Sequence, residues 1–553
     1  MESDSVCLMF DGYSRKVAMD EVEVAFGHVQ LFESRGWQES AFVKFSLFPG
    51  AVGYHVYLKG GAYSDYIPLD AELVRNYGSY GRADALGLQP SADYRLKVVP
   101  IDVAGTEITV AASETDLLTV CAYDRGGFAH FGYPDGVGAY QNDGSLKSGA
   151  RIVYVTKDNA KTVSLDIVSD KKGKITKYTG LQQIVYGYQK GYESRPLCIR
   201  LIGTIGAEDC DEFLSKAEGL QIKGASGYQP MNITVEGVGD DATTTGFGFL
   251  IRNCASVELR NFANMLCMDD AVSLDTKNEH VWLHNLDFFY GQPGSDADQK
   301  KGDGTVDMKA DSRYITVSYN HFWDTGKSSL CGMKSETGPN YITYHHNWFD
   351  HSDSRHARVR TMSVHMYNNY FDHVAKYGVG ATMGACVFME GNYFIGTKKP
   401  ILCSRQGTDA LGQGTFSGED GGMIKAYGNY FDRTIANFSY YTQNAPAATG
   451  YDAFETENRS DQVPDSETAK VGGTPYNNFD TDEQLMYSYT PDDVATVPAI
   501  VTGEFGAGRM NHGDLNYTFA DNTGSDDADS AIDSRLQSLL QNYKSSLVGF
   551  FGQ

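Results

Sequence analysis

Five times between residues 320 and 431 the chain writes Asn, then His, Trp or Tyr, then Phe. The copies are Asn320-His321-Phe322, Asn347-Trp348-Phe349, Asn369-Tyr370-Phe371, Asn392-Tyr393-Phe394 and Asn429-Tyr430-Phe431. A β-branched residue stands five positions before each Asn: Ile315, Ile342, Val364, Val387 and Ile424. The Asn-to-Asn spacings are 27, 22, 23 and 37. A strand, a turn marked by Asn and an inward aromatic, recurring at this interval, describe one coil of a β-solenoid. Asn side chains at equivalent turns can hydrogen-bond up the stack, and the aromatics can stack inside it. Looser copies, Val257…Phe262 and Val281…Phe288, extend the array toward the N-terminus. The longer gaps read as loops inserted on one face, where a repeat protein usually keeps its site. Leucine-rich and propeller arrays need Leu or Trp-Asp signatures that are absent here, so a parallel β-helix is expected.

The flanks differ in texture. Ala41-Phe42-Val43-Lys44-Phe45-Ser46-Leu47 and Tyr54-His55-Val56-Tyr57-Leu58 alternate, and Tyr94-Arg95-Leu96-Lys97-Val98-Val99 follows a Pro90-Ser91-Ala92 turn. Short alternating strands between turns predict an antiparallel β-sandwich over 1–120 that resembles a fibronectin type III module, as spacer or carbohydrate binder. The rest, 121–553, is expected to form one helical unit with its core at 180–440. A helix candidate at Thr179–Ile184 would cap the array at one end. Near the other end Ile532, Leu536, Leu539, Leu540, Tyr543 and Leu547 are spaced for one helical face within a C-terminal extension, 526–551. Asp526, Asp527 and Asp529 stand at its N-terminal side, where the dipole favours anions.

Charge and composition exclude several classes. Acidic side chains outnumber basic ones 71 to 46, a net of −25, which argues against non-specific nucleic-acid or anionic-membrane binding. No apolar run approaches the roughly 20 residues that span a bilayer. Hydrophobic content of 41% excludes global disorder. Nine Cys show no CxxC pair, so neither a zinc site nor a disulfide scaffold is read, and most are expected to be buried thiols. The start, MESDSVCLMFDG, shows no basic n-region or apolar h-region.

Three segments carry chemistry: "NITVEGVGDDATTTGFGFLIRN" (232–253), "GDGTVDMKADSRYITVSYNHFWDTGKSSLCG" (302–332) and "YITYHHNWFDHSDSRHARVRTMSVHMYNNYF" (341–371). Asp269-Asp270 lies in "CMDDAVSL", and Asp303 and Asp307 bracket Gly304-Thr305-Val306. Along one strand, residues four apart stand about 13 Å apart, too far to share an ion. A turn at Gly302 and Gly304 would bring both carboxylates toward Asp270. Three converging carboxylates repel one another, and a hard oxygen-seeking cation such as Ca²⁺ relieves that. Alternatively they form a solvated acidic turn. Basic residues follow: Lys309, Lys327, Arg355, Arg358 and Arg360, with Arg358 and Arg360 on one strand face and Val359 on the other. Residues 299–360 hold nine Lys/Arg and seven Asp/Glu, net +2, so the remainder carries −27. An acidic protein acting on a polyanion needs such an island, in which Arg grips carboxylates bidentately. His345 and His346 adjoin on a strand whose successive residues face opposite ways, which predicts one ladder residue and one surface residue and not a metal pair.

Taken together, the three segments resemble the pectate lyases of polysaccharide lyase family 1, over roughly residues 125–440. The resemblance implies a right-handed parallel β-helix and calcium held by Asp270, Asp303 and Asp307. It implies cleavage of α-1,4-polygalacturonate by β-elimination to 4,5-unsaturated products. It assigns the base to Arg355, with Lys327 and Arg360 holding substrate carboxylate and Arg358 and Lys309 completing the substrate site. Free guanidinium has a pKa above 12 and is normally never deprotonated, so Arg355 as a base rests on the resemblance; the residues alone indicate only a cation. Two departures stand out: Trp282-Leu283-His284-Asn285 replaces Trp-Ile-Asp-His, and Arg355-His356-Ala357-Arg358 lacks the Pro of Arg-x-Pro-Arg. The resemblance further implies a secreted enzyme, and a monomer is expected, with neither nucleic acid nor membrane as partner. Alternatives are a calcium-independent pectin lyase, a galacturonan hydrolase with Asp pairs as acid and base, and a non-catalytic polysaccharide-binding β-helix.

Overall fold

The computed structural model describes residues 5–10, 13–18, 27–293, 300–403, 418–434, 436, 440–441, 452–469, 471–510, 513–520 and 532–551. Two compact units divide the chain: Met1–Tyr123 with Asp143–Ser145 and Ser546–Gln553, and Asp124–Asn142 with Leu146–Ser545.

The first unit is a β-sandwich. One antiparallel sheet orders Ser113–Glu114, Asp93–Ile101, Gly53–Gly60 and Tyr63–Pro68, with Leu118–Thr119 also on Asp93–Ile101. The other orders Leu31–Gly36, Ser40–Ser46, Tyr80–Leu86, Val74–Asn76 and Gly549–Phe550. The three alternating runs seen in the sequence are the strands Ser40–Ser46, Gly53–Gly60 and Asp93–Ile101. Their inward residues, Val43, Phe45, Val56, Leu58, Leu96 and Val98, form one core. Gly549–Phe550 corrects the sequence expectation of a helical extension through 551, because its backbone pairs antiparallel with Arg75 and Asn76 at the sheet edge.

The second unit is a parallel β-helix of three sheets, with twelve, nine and eight strands among the described residues. Each coil contributes in turn to the three sheets, so residues one coil apart become neighbours in register. The five β-branched positions stand in line on the twelve-stranded sheet: Ile315 against Ile342, then Val364, Val387 and Ile424. Phe322, Phe349, Phe371, Phe394 and Phe431 stand in line on the nine-stranded sheet, with ring centroids 4.0–5.0 Å apart. Between them runs the Asn ladder: each side chain accepts from the Nδ2 of the preceding Asn, from Asn320 to Asn429, at 2.9–3.1 Å. The looser copies behave differently from each other. Phe288 joins the stack at 5.1 Å from Phe322, whereas Asn264 occupies the position in register with Phe288 and Phe262 stands two residues earlier.

A helix at Leu181–Gln189 buries Leu181, Ile184, Val185 and Tyr188 against the first coils, as a cap should. The C-terminal helix is Ser534–Asn542, shorter than its sequence periodicity suggests. Leu536 and Leu540 pack against Phe289, Tyr290 and Trp323, but Leu539 is 40% exposed. Asp533 is its N-cap, accepting from the backbone of Arg535 and Leu536 at 2.8 and 3.1 Å. The Asp526, Asp527 and Asp529 cluster lies outside the described residues. Among the described residues eight cysteines are free thiols, all buried except Cys121.

Candidate active site

The predicted residues gather on the eight-stranded sheet. Asp270 precedes the strand Val272–Thr276; Asp303 precedes and Asp307 lies within Gly304–Met308; Lys309 follows it. Lys327 opens Lys327–Cys331, and Arg355, Arg358 and Arg360 belong to Ser354–Arg360. These four strands are consecutive neighbours. Parallel register sets Asp307 beside Leu330, and Leu330 beside Arg358. A spread of 91 positions in sequence thus becomes one face, because every coil returns the chain to the same sheet.

Glycine makes the acid pocket possible. A Cβ on Gly304 would stand 2.5 Å from Asp307 Oδ1 and 2.6 Å from Asp270 Oδ1, so both carboxylates close over a position that admits no side chain. Gly302 carries a φ of 107°, the turn expected before the strand. The carboxylates that offer oxygens within 4.8 Å of one another are Asp269, Asp270 and Asp303. Asp269 was missed by sequence reasoning, although the pair Asp269-Asp270 is visible there; Asp307 faces Asp270 across the glycine instead of joining that trio.

Two lysines line the same pocket. Lys309 Nζ lies 3.0 Å from Asp270 Oδ2 and 3.9 Å from Asp307 Oδ2, and Lys327 Nζ donates to Asp303 Oδ1 at 2.8 Å. Burial acts against the Lys309 charge, but Asp270 and Asp307 hold its ammonium above the ordinary range. Burial, and then the charge of Asp270, push Asp307 up to about 7, with Lys309, Arg355 and the Leu330 N–H pulling the other way. Four aspartates against two lysines leave an excess of two negative charges when all are ionised. That is the charge of one divalent cation. An all-oxygen, glycine-floored carboxylate set with that excess suits a hard ion such as Ca²⁺.

Beyond the acids the charge reverses. Arg358 Nη2 meets Glu419 at 2.9 Å, Arg360 meets it at 3.0 Å and Lys334 at 3.1 Å, while Thr382 donates at 2.9 Å. Burial opposes the Glu419 charge, yet these donors hold its carboxyl down at about 2. Three cations on one carboxylate leave this patch net positive. Glu419 was invisible in sequence, since its partners lie far upstream, Arg358 and Arg360 by 61 and 59 residues. Val359 points into the core, as the alternation predicts. Arg355, with a φ of 64°, turns out of that alternation. Its guanidinium makes no hydrogen bond or ion pair among the described residues, in contrast to Lys309, Lys327, Arg358 and Arg360. The segment that lacks Pro is anchored otherwise: His356 is buried, 2.8 Å from Ser352 Oγ and 2.9 Å from the Tyr377 carbonyl, and its peptide to Ala357 is cis. The other departure is structural too, with His284 buried 3.1 Å from Glu258.

Comparison with known proteins places this arrangement. Residues 223–465 match the pectate lyase family model. A pectate trisaccharide-lyase of Bacillus licheniformis is 30% identical over 232 residues, covering 41% of this chain and 64% of that protein. Pectate lyase A of Emericella nidulans is 32% identical over 186 residues, 32% of this chain and 55% of its own length. The chain thus spans less than two thirds of these curated relatives. A solved pectate lyase from Bacillus sp. N165, in complex with trigalacturonate, aligns with 70% of this chain and 99% of its own at 23% identity and a TM-score of 0.47. The matched segment, residues 223–465, spans the acid pocket and the arginine strand alike, and over it the chain is similar to the pectate lyases.

Proposed function

We propose that this chain is a calcium-dependent pectate lyase that cleaves α-1,4-polygalacturonate by β-elimination, with Arg355 as the base. One observation carries the reading: Arg355, whose guanidinium makes no hydrogen bond or ion pair among the described residues, shares a sheet with a carboxylate pocket with two surplus negative charges and a cationic patch. The relatives' names support pectate as the substrate class.

The residues divide the work. Asp270, Asp303 and Asp307, joined by Asp269, would hold Ca²⁺. When bound, the ion withdraws charge from a uronate carboxylate and so acidifies the C5 proton beside it. Lys327 and Arg360 orient substrate carboxylates, and Arg358 adds to the same field. Lys309 completes the substrate site, and its ammonium also balances Asp270 and Asp307. Arg355, acting as the neutral guanidine, takes the C5 proton and becomes guanidinium; the C5–H electron pair becomes the C4=C5 double bond, and the C4–O bond breaks. The departing oxygen takes a proton from water. The product is unsaturated and absorbs in the ultraviolet, which a hydrolase product does not. A polymer of this kind stays outside the cell, so we place the enzyme there, acting as a monomer.

The test is ultraviolet absorbance during incubation with polygalacturonate, first with Ca²⁺ and then with excess chelator. A rise that chelator stops and Ca²⁺ restores supports the proposal. A rise indifferent to chelator indicates a pectin lyase mechanism. New reducing ends without absorbance indicate hydrolysis, and no change of either kind leaves a binding protein.

A further inference from the structure

A second cluster of ligating side chains lies on a different sheet, where the strand Ile342–His345 belongs to the twelve-stranded array. Alternation predicts that His345 and His346 face opposite ways, one of them at the surface. The structure corrects this. His346 has a φ of 52°, which ends the strand and turns its ring back toward its neighbour. Both imidazoles are buried, and their Nδ1 atoms face each other at 2.9 Å.

The other nitrogen of each ring is already committed as a donor. His345 Nε2 lies 3.0 Å from the Gly126 carbonyl, which can only accept. His346 Nε2 lies 2.9 Å from Asp492 Oδ2, a carboxylate oxygen that accepts. Both neutral rings are therefore Nε2–H tautomers, and two Nδ1 lone pairs converge. Such a pair needs an electrophile. Asp124 supplies a third ligand: its Oδ1 accepts from the Gly126 N–H at 2.8 Å, and its Oδ2 stands 3.8 Å from His345 Nδ1. One ligand atom from each of Asp124, His345 and His346 lies within 4.8 Å of the others.

We propose that Asp124, His345 Nδ1 and His346 Nδ1 bind a divalent transition metal of the zinc type, with Asp492 and the Gly126 carbonyl fixing the two ring tautomers. Metal-ligating histidines usually donate their remaining N–H to a carboxylate or carbonyl, the pattern both rings show. Tetrahedral zinc with bonds of about 2.05 Å sets its ligands about 3.3 Å apart. The observed 2.9 and 3.8 Å bracket that separation. Asp124 is 42% exposed, which leaves a path of entry and a position for water. A metal there would fasten the segments carrying Asp124 and Asp492 to one coil, and would stabilise the fold by mass action.

The experiment is titration of chelator-stripped full-length protein with Co²⁺, following its visible d–d absorption, and with Zn²⁺ in competition with a chromophoric chelator. With the acid pocket filled by excess Ca²⁺, we expect one equivalent per chain, the strong absorption of a four-coordinate Co²⁺ site, and a raised thermal midpoint with Zn²⁺. Asp124→Asn, at a half-exposed position the fold should tolerate, is expected to weaken binding at least tenfold, and Asp492→Asn by about 10- to 100-fold. Asp270→Asn, in the acid pocket, leaves the Co²⁺ spectrum unchanged. Absence of uptake would overturn the proposal and leave a shared proton between the rings. Uptake indifferent to Asp124→Asn, or lost in Asp270→Asn, overturns it equally.

Discussion

Asn369→Ala tests whether the ladder holds the coils or merely decorates them. Asn369 Oδ1 accepts from the backbone N–H and the Nδ2 of Asn347 at 3.1 and 2.9 Å. Its Nδ2 donates to the Tyr344 carbonyl, the Tyr367 carbonyl and Asn392 Oδ1 at 2.9, 3.2 and 2.9 Å. Truncation does not orphan every partner. Asn347 Nδ2 keeps the Val317 carbonyl at 2.8 Å, and Asn392 Oδ1 keeps the Asn369 N–H at 3.0 Å. The buried Asn347 N–H is left without an acceptor, which costs about 1–3 kcal/mol, and each satisfied bond lost adds about 0.5–1.5 kcal/mol. The expected loss is at least about 3 kcal/mol. Asn429 makes the corresponding contacts at the end of the ladder, where its own side chain and the bond from Asn392 are only partly buried. Water can replace what Asn429→Ala removes, so that variant should lose only about 1 kcal/mol. Urea unfolding followed by intrinsic fluorescence measures both, with the wild-type slope as a check on cooperativity. Equal losses for the two variants, or a loss below about 1 kcal/mol for Asn369→Ala, would refute a ladder that carries stability.

Two further outcomes follow from the candidate site. Arg355→Lys keeps a cation but moves the proton acceptor, so turnover on polygalacturonate should fall by about 10²–10⁴ with KM little changed, and activity within tenfold of wild type would sink the assignment. Glu419 has a carboxyl held at about 2 against an ordinary 4.5, so its contribution to stability is present above pH 4.5 and is lost as pH falls toward 2. Thermal denaturation should therefore show Glu419→Gln less stable than wild type by up to about 3 kcal/mol near neutral pH. That gap should close in acid; a gap that persists below pH 2 would mean packing and not charge.

What the sequence revealed, and what it hid, follows from which constraints recur. Ile315, Asn320 and Phe322 were legible because each coil must satisfy the same inward, turn and stacking positions, so the same residue types return at the coil length. Val257 stands in register with Val281, so the looser copy does extend the array, but there Asn264 and not Phe262 takes the position opposite Phe288. Gly549–Phe550 is a two-residue edge strand held by backbone pairing, which imposes no side-chain period to read. The site is harder for a different reason. Inserted loops make the coils unequal, so the distance from Asp270 to Arg355 in sequence says nothing about their distance on the sheet. Only the motif, not the period, joined them. Glu419 belongs to no motif; it meets Arg358 and Arg360 through space, and Thr382, one strand further along the sheet, donates to the same carboxylate. His346 shows the limit most plainly: the alternation rule assumes extended backbone, and a single left-handed residue reverses its conclusion. Arg355 breaks the same rule in the same way, with a φ of 64°. At both positions one left-handed residue frees a side chain from the facing that the repeat would otherwise impose on it.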